Sequence, residues 1–561
     1  LTIPPKGPNV KRIFGSSGVV IAPESTPREE YGMFKSWLTV ARRNILRHKG
    51  YSFLTIFGLA VGMAGTILIL LYIRDELSFD RTPPDAGRIY RLVLEAQTPN
   101  RGALRTARSP DPWAPALIRD FPEVEAAVRF KTPLVSWLVG NEANDRKFHE
   151  RGFYFADPDA FRIFGWRMLR GDPATALREP NSLVLTESAA ARYFGTEDPM
   201  GKTLRLDNAY DFAVTGVVED VPPNSHITFD ILASYASLDA NPIYGDLQNS
   251  TMERNGLNPQ VYTYLLLGEG ASPSAFEAKL PGFLELYLGR QIAQINIEVK
   301  PWLQLLTDIH LHSNLEAELR PNSSISYIHI FSAVAVFILA IAGINFMNLA
   351  TARSAARAQE VGLRKIVGAE RKDIVRQFLG ESMFLSFLSL GLALLLSWAL
   401  LPTFGALSGK GLSLRLSDPW LLAGLAAIVL FTGFFSGSYP ALFLSGFLPA
   451  NILRGSIKAG RMSALLRKIL VVFQFTISVV FLVGTAVVFT QLRYVENKPL
   501  GFAKDNVVML RLGDPRARPL FESFKDLALQ NPAVLSVTAA TSFPGGLSNT
   551  AFVRPEGAPP E

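Results

Sequence analysis

The sequence predicts an α-helical integral membrane protein that carries a large α+β domain outside the bilayer. Three observations lead there. Five apolar stretches, Phe53–Ile73, Tyr327–Ala350, Phe378–Leu401, Trp420–Phe443 and Ile469–Thr490, approach or exceed the roughly 20 apolar residues needed to cross a hydrocarbon core. The long segment 75–325 between the first two has no such stretch and alternates strand-like with helix-like patterns. The mean hydropathy is +0.19, yet 19% of the 561 residues are charged, a balance that suits a chain partly in lipid and partly in water.

Taken in order, residues 1–32 contain no Met, several Pro and no clear periodicity, and read as a disordered extension or an artefact of how the chain was defined. Met33-Phe-Lys-Ser-Trp-Leu looks like a natural start, so 33–50 is a basic lead-in to the first span at 51–74. The remaining spans fall at 326–350, 378–401, 420–445 and 469–491, joined by 351–377, 402–419 and 446–468. Backbone groups cannot go unpaired in lipid, so each span is a helix. Charge sets the orientation. Residues 35–50 carry Lys35, Arg42, Arg43, Arg47 and Lys49; 351–376 carry seven basic groups; 447–468 carry five and no acid; 402–419 carry only Lys410 and Arg415. The basic flanks belong in the cytoplasm and 75–325 outside. The net charge of +7 therefore calls for no nucleic acid. With no cysteine in the chain, disulfides, thiolate catalysis and Cys-based zinc sites are excluded.

Within 75–325, Arg88–Leu94, Ser182–Thr186, Phe212–Val218, Val261–Leu267 and Ile295–Val299 read as strands, and Pro115–Phe121 and Ser274–Ile292 as helices. Pro222-Pro223-Asn224 is a turn signal. Short phrases also recur: Arg43-Asn-Ile-Leu returns as Arg467-Lys-Ile-Leu, Ile89-Tyr-Arg-Leu-Val-Leu as Val507-Val-Met-Leu-Arg-Leu, and Phe121-Pro-Glu-Val as Asn531-Pro-Ala-Val. The near-constant offset suggests a second copy of the unit beginning in 492–561, and hence a duplicated, truncated protein with eight helices when complete.

The charged run after the second span is the leading functional candidate. Gly362 and Gly368 interrupt a charged helix, with Arg364 and Lys365 between them. From composition alone this is equally a docking element or a solvated basic loop. The wording Glu360-Val361-Gly362-Leu363-Arg364-Lys365-Ile-Val-Gly368-Ala369, with Asn345-Phe-Met-Asn348 before it, resembles the FtsX-like/MacB-type ABC transporter permeases. Phe161-Arg-Ile-Phe-Gly-Trp, Gly201-Lys-Thr-Leu, Val214–Pro222 and Asp308-Ile-His-Leu-His are similar to that family's MacB-like periplasmic core domain. The resemblance covers roughly Phe34 to the end. It implies a permease subunit without ATPase activity of its own, in a bacterial inner membrane. ATP and Mg would sit on a cytosolic ABC ATPase dimer docked at Glu360–Ala369. Nucleotide-driven motion would pass through the helices to the outer domain.

Other residues carry weaker signals. Gly58 and Gly62, and Gly433 and Gly437, form GxxxG pairs suited to close helix approach, and Asn345 and Asn348 suit interhelical hydrogen bonds. Glu381, about a turn beyond Arg376, suits local pairing. Gly195-Thr-Glu-Asp-Pro-Met-Gly201-Lys202-Thr203 is one residue too long for a phosphate loop. His310 and His312 would share a face only in a strand, with Asp308 the nearest carboxylate, so a metal is not the expectation. The expected function is export of a drug, peptide or lipid-linked cargo, with a periplasmic adaptor or outer-membrane channel. The alternative is a regulatory or signalling scaffold acting on a cell-wall hydrolase or sensor kinase. An outer enzyme merely tethered by helices needs fewer spans than five.

Overall fold

The computed structural model describes residues 49–98, 102–133, 136–143, 145–244, 249–352, 361–445, 461–499, 506–510 and 519–540. It divides into two compact units, Leu1–Ile73 with Ile330–Leu492, and Arg74–His329 with Arg493–Glu561. Among the described residues, five helices are long and apolar enough to span a membrane: α1 (Lys49–Leu77), α2 (Ile325–Ala352), α3 (Arg371–Ser408), α4 (Pro419–Ser445) and α5 (Arg461–Asn497). At a rise of 1.5 Å per residue even the shortest is about 40 Å long, against a hydrocarbon core of about 30 Å, so all five overrun it.

In the membrane unit, Ala60, Met63, Ala64, Ile67 and Leu71 recur at helical spacing on one face of α1. They pack against Leu339 of α2, Ala393 of α3, and Leu421, Leu425 and Ile428 of α4. Small side chains let these backbones approach, which is how helices associate where lipid offers no hydrophobic gain. Thr66 Oγ1 donates to Ala335 O across α1 and α2 at 3.4 Å, and Ser397 Oγ to Ala64 O across α3 and α1 at 3.4 Å. By contrast α5 presents most of its apolar surface outward, and Ile477 is its one buried hydrophobic among the described residues.

The second unit is built on one sheet. Its strand order is Glu298–Leu305, Ile89–Thr98, Pro259–Leu267, Val124–Lys131, Phe153–Ala156, Ile231–Ser234, Ser182–Thr186, Tyr210–Val218, Thr203–Leu206, Trp137–Asn141, Arg146–Glu150. Pairing along it is antiparallel except between Phe153–Ala156 and Ile231–Ser234 and between Ser182–Thr186 and Tyr210–Val218. The helices Trp113–Asp120 and Leu280–Ile295 bury Trp113, Leu117, Phe283 and Leu288 in one apolar cluster with strand residues Leu92 and Leu265. Trp113 satisfies its indole N–H on Gly256 O at 2.8 Å. On the strand Ile89–Thr98, Arg91 is wholly buried. Its guanidinium donates to Glu318 Oε2 at 2.6 Å, Gln304 Oε1 at 2.7 Å and Ser313 Oγ at 3.0 Å, which meets the requirement that a buried charge be paired.

The structure differs from the sequence reading in several places. Ser274–Ile292 is two helices, Pro273–Glu277 and Leu280–Ile295. Pro281 explains the break, because proline lacks an N–H and suits a helix start. Ile295 ends the second helix instead of opening a strand; Asn296 follows in the left-handed region at φ 48°, and the strand starts at Glu298. His310 and His312 lie in the helical turn Ile309–His312. His310 is buried, stacks on Phe79 at 3.5 Å between centroids and meets Glu76 Oε2 at 3.0 Å, whereas His312 is exposed. Gly195–Thr203 runs from a helix end to a strand, the reverse of the strand–loop–helix order that a phosphate loop needs.

The repeated phrases fare unevenly. Asn531-Pro-Ala-Val follows the helix Phe521–Leu529 much as Phe121-Pro-Glu-Val follows Trp113–Asp120. The same turn closes both: Val124 N donates to Phe121 O at 3.1 Å and Val534 N to Asn531 O at 2.9 Å. Residues 507–510, the echo of the strand Ile89–Thr98, form no strand and are exposed.

Replacing Glu318 with Ala leaves Arg91 buried without its anion, which should lower stability by about 3 kcal/mol. Restoring the volume with apolar residues at both positions should recover most of that loss. Denaturant titration of the full chain in detergent, with each variant, measures both effects.

Candidate functional site

The charged run between α2 and α3 is described from Val361 onward; Arg353, Arg357 and Glu360 lie outside the described residues. Residues 361–366 are helical, so Gly362 sits inside the helix, and only Gly368 ends it, at φ 103°. Ala369 N bonds back to Arg364 O at 3.0 Å and Gly368 N to Lys365 O at 3.2 Å. A left-handed glycine is the common way to close a helix, since it carries no Cβ to clash. Glu370 and Asp373 then cap α3 reciprocally, each side chain accepting from the other's backbone N–H. A hydrogen bond from Lys372 holds the Glu370 carboxyl below its ordinary value. The resulting helix–turn–helix has a defined backbone from 361 to 373.

Its two faces differ. Inward, Val361 is buried with Ile374 and Phe378 of α3 and Ala441 of α4, and Gly362 is buried beside it. Lys365 Nζ donates to Ser445 O at 2.7 Å and Arg371 Nε to Ser445 Oγ at 3.3 Å. Both cations therefore meet the C-terminal end of α4, where unpaired carbonyls and the helix dipole favour positive charge. Arg364 donates to Gln377 Oε1, one turn before Glu381, which accepts from Gln377 Nε2 at 3.4 Å. Outward, Leu363, Ile366 and Val367 are 67%, 56% and 83% exposed. Of the residues singled out from the sequence, then, Val361, Gly362, Arg364 and Lys365 anchor the element, and Leu363 is presented. Ala369 is half-buried and Gly368 exposed in the closing turn. The sequence reading placed the element at Glu360–Ala369 but did not single out Ile366 and Val367 within it, although their spacing from Leu363, three and four residues, is that of one helical face. It missed Ser445, which carries no signal of its own.

The glycine pairs lie on two seams. A Cβ at Gly62 would fall 2.7 Å from Ala342 Cβ on α2, whereas one at Gly58 would meet only Asn345 Nδ2 at 3.5 Å. Gly433 and Gly437 of α4 face Met383 and Ser382 of α3, the latter at 2.8 Å from an added Cβ. Asn345 and Asn348 are half-buried, and neither amide makes a hydrogen bond among the described residues.

Two family models match the chain. The MacB-like periplasmic core domain covers residues 52–282, and the FtsX-like permease C-terminal domain covers 332–449, which contains the whole anchored element. The chain is an FtsX/MacB-type permease. Its relatives include the macrolide export ATP-binding/permease protein MacB of Syntrophobacter fumaroxidans, 24% identical over 74% of this chain and 62% of the relative. The pyoverdine export ATP-binding/permease protein PvdT of Pseudomonas syringae is 24% identical over 69% of this chain and 54% of the relative. The permease chain thus spans a little over half the length of these curated relatives. Among solved structures, the periplasmic region of MacB from Actinobacillus actinomycetemcomitans aligns at 15% identity and a TM-score of 0.27, over 41% of this chain and 92% of that one.

Gly62→Val should push α1 and α2 apart and cost about 1–3 kcal/mol by overpacking, while Gly58→Ala is tolerated. Protease resistance of the two variants in native membranes reads the difference.

Proposed function

We propose that this permease couples ATP hydrolysis on a cytosolic ABC ATPase to movement of its α/β domain, in an export system of a bacterial inner membrane. In this reading the α/β domain is periplasmic and the element at 361–373 is cytoplasmic. ATP and Mg belong to the ATPase, and this chain supplies the docking element. The observation that carries the reading is the split between the element's faces. Leu363, Ile366 and Val367 form an apolar strip open to a partner, while Val361, Lys365 and Arg371 fix the same element to α3 and α4. A docking element must be both exposed and rigid, because motion in a partner reaches the helices only through an anchor that does not give way. Export is favoured over a signalling role by the relatives, which are named as exporters of a macrolide and of pyoverdine. The cargo here would be of comparable kind, a drug, peptide or lipid-linked molecule, with an adaptor or outer-membrane channel as further partner.

The chain contains no cysteine, so Leu363→Cys and Val367→Cys each create a unique thiol. A membrane-impermeant maleimide should label both in inside-out vesicles and neither in intact cells, and added ATPase should slow labelling. Labelling from the outer face would overturn the proposed orientation and the docking role together.

Loss of function separates the two faces. Leu363→Glu should weaken partner binding and cut stimulated ATP hydrolysis about tenfold, the effect of losing one interface hot spot. Lys365→Ala, and changes at Gly362 or Arg364, should leave the ATPase bound but fail to transmit its turnover. Both sets should insert into the membrane normally. Reconstituted hydrolysis, with pull-down of the ATPase as the binding readout, checks each outcome.

A further inference from the structure

The α/β domain holds a cavity of about 490 Å³ that nothing above uses, within the ~300–1,000 Å³ range of small-molecule sites. Arg151, Tyr154, Asp220, Asp230 and Arg320 line it, with an apolar wall that includes Phe229 and Leu319. Arg151 is exposed and has no hydrogen bond or ion pair among the described residues. Arg320 is held in place through Nη1, which donates to Pro223 O at 3.2 Å and Ser225 O at 2.9 Å. Its other guanidinium nitrogens have no hydrogen bond among the described residues. Tyr154 is only 8% exposed, yet its hydroxyl likewise has no hydrogen-bond partner among the described residues. Burial pushes that hydroxyl up to about 12, so it stays a donor at neutral pH. A donor without a protein partner that lines a cavity beside two arginines suits an incoming acceptor.

The acids set the other half of the chemistry. Asp220 accepts from Ser188 N at 3.0 Å through one oxygen, and Asp230 lies 3.6 Å from Arg192. Two carboxylates disfavour a simple anion here and two arginines disfavour a simple cation. A ligand bearing both charges, with apolar groups between them, matches the charged lining groups and the apolar wall. We propose that this cavity binds a short peptide by its termini, the carboxylate against Arg151, Arg320 and Tyr154, and the ammonium against Asp220 and Asp230. The proposal stands independently of ATPase coupling, since it needs only the α/β domain in its folded form.

The test is calorimetric titration of the full chain in detergent with trialanine, N-acetyl-trialanine and trialanine amide. The free peptide should bind, and capping either terminus should weaken it at least tenfold. Arg151→Gln changes an exposed side chain without a partner, and Tyr154→Phe keeps the ring, so both variants should fold. Each should weaken the free peptide several-fold, and in Arg151→Gln the further loss on amidation should shrink, because the carboxylate and the guanidinium act as one pair. No binding at millimolar peptide, or equal affinity for capped and free forms, would overturn the proposal. So would phosphoethanolamine binding as tightly as the peptide, which would make the cavity a lipid-headgroup site.

Discussion

The contact on which the membrane unit's functional reading depends is the one between the 361–373 element and the end of α4. Lys365 and Arg371 both reach Ser445, and Val361 closes over Ile374, Phe378 and Ala441. Neither part would hold the element alone. Two cations at a helix terminus contribute modestly in water, and four apolar side chains make a small core. Together they tie one short helix to α3 and α4 at once. In the proposed coupling, a load on the exposed strip of Leu363, Ile366 and Val367 would pass to the helices and not be absorbed by a loop.

The same logic of close approach runs through the helices themselves. Gly62 against Ala342, and Gly437 against Ser382, bring backbones to distances that a larger side chain would forbid. Such seams rest on small residues at the points of closest approach. In the α/β domain the balance is reversed. Arg91 is wholly buried and held by a carboxylate, an amide and a hydroxyl, an arrangement that tolerates little change in geometry.

Much of this was legible in the chain of residues, and the failures are instructive. The five spans could be read directly because lipid leaves the backbone no alternative to the helix. The strand at Ser182–Thr186, and Val261–Leu267 of the strand Pro259–Leu267, could be read because short runs rich in β-branched, aromatic and aliphatic residues suit a buried strand. The break between Glu277 and Leu280 was missed because the apolar period continues across it while Pro281 starts a new helix. The paired histidines could not be placed from the sequence, because a spacing of two puts them on one face only in a strand, and Ile309–His312 is a helical turn.

Composition and pattern alone determined the membrane character, the count of spans, the mixed domain and the location of the charged element. These follow from local rules, since hydrophobic length and periodicity act over a few turns. Tertiary structure alone decided which side of that element faces inward. Arg364 and Lys365 look like contacts for a partner in the sequence, yet they turn to Gln377 and Ser445, and the presented surface is apolar. The cavity of Arg151, Tyr154 and Arg320 was equally invisible, because its residues come from segments up to 169 positions apart in the chain. Sequence spacing carries no information about such neighbours; only the folding of the sheet brings them together.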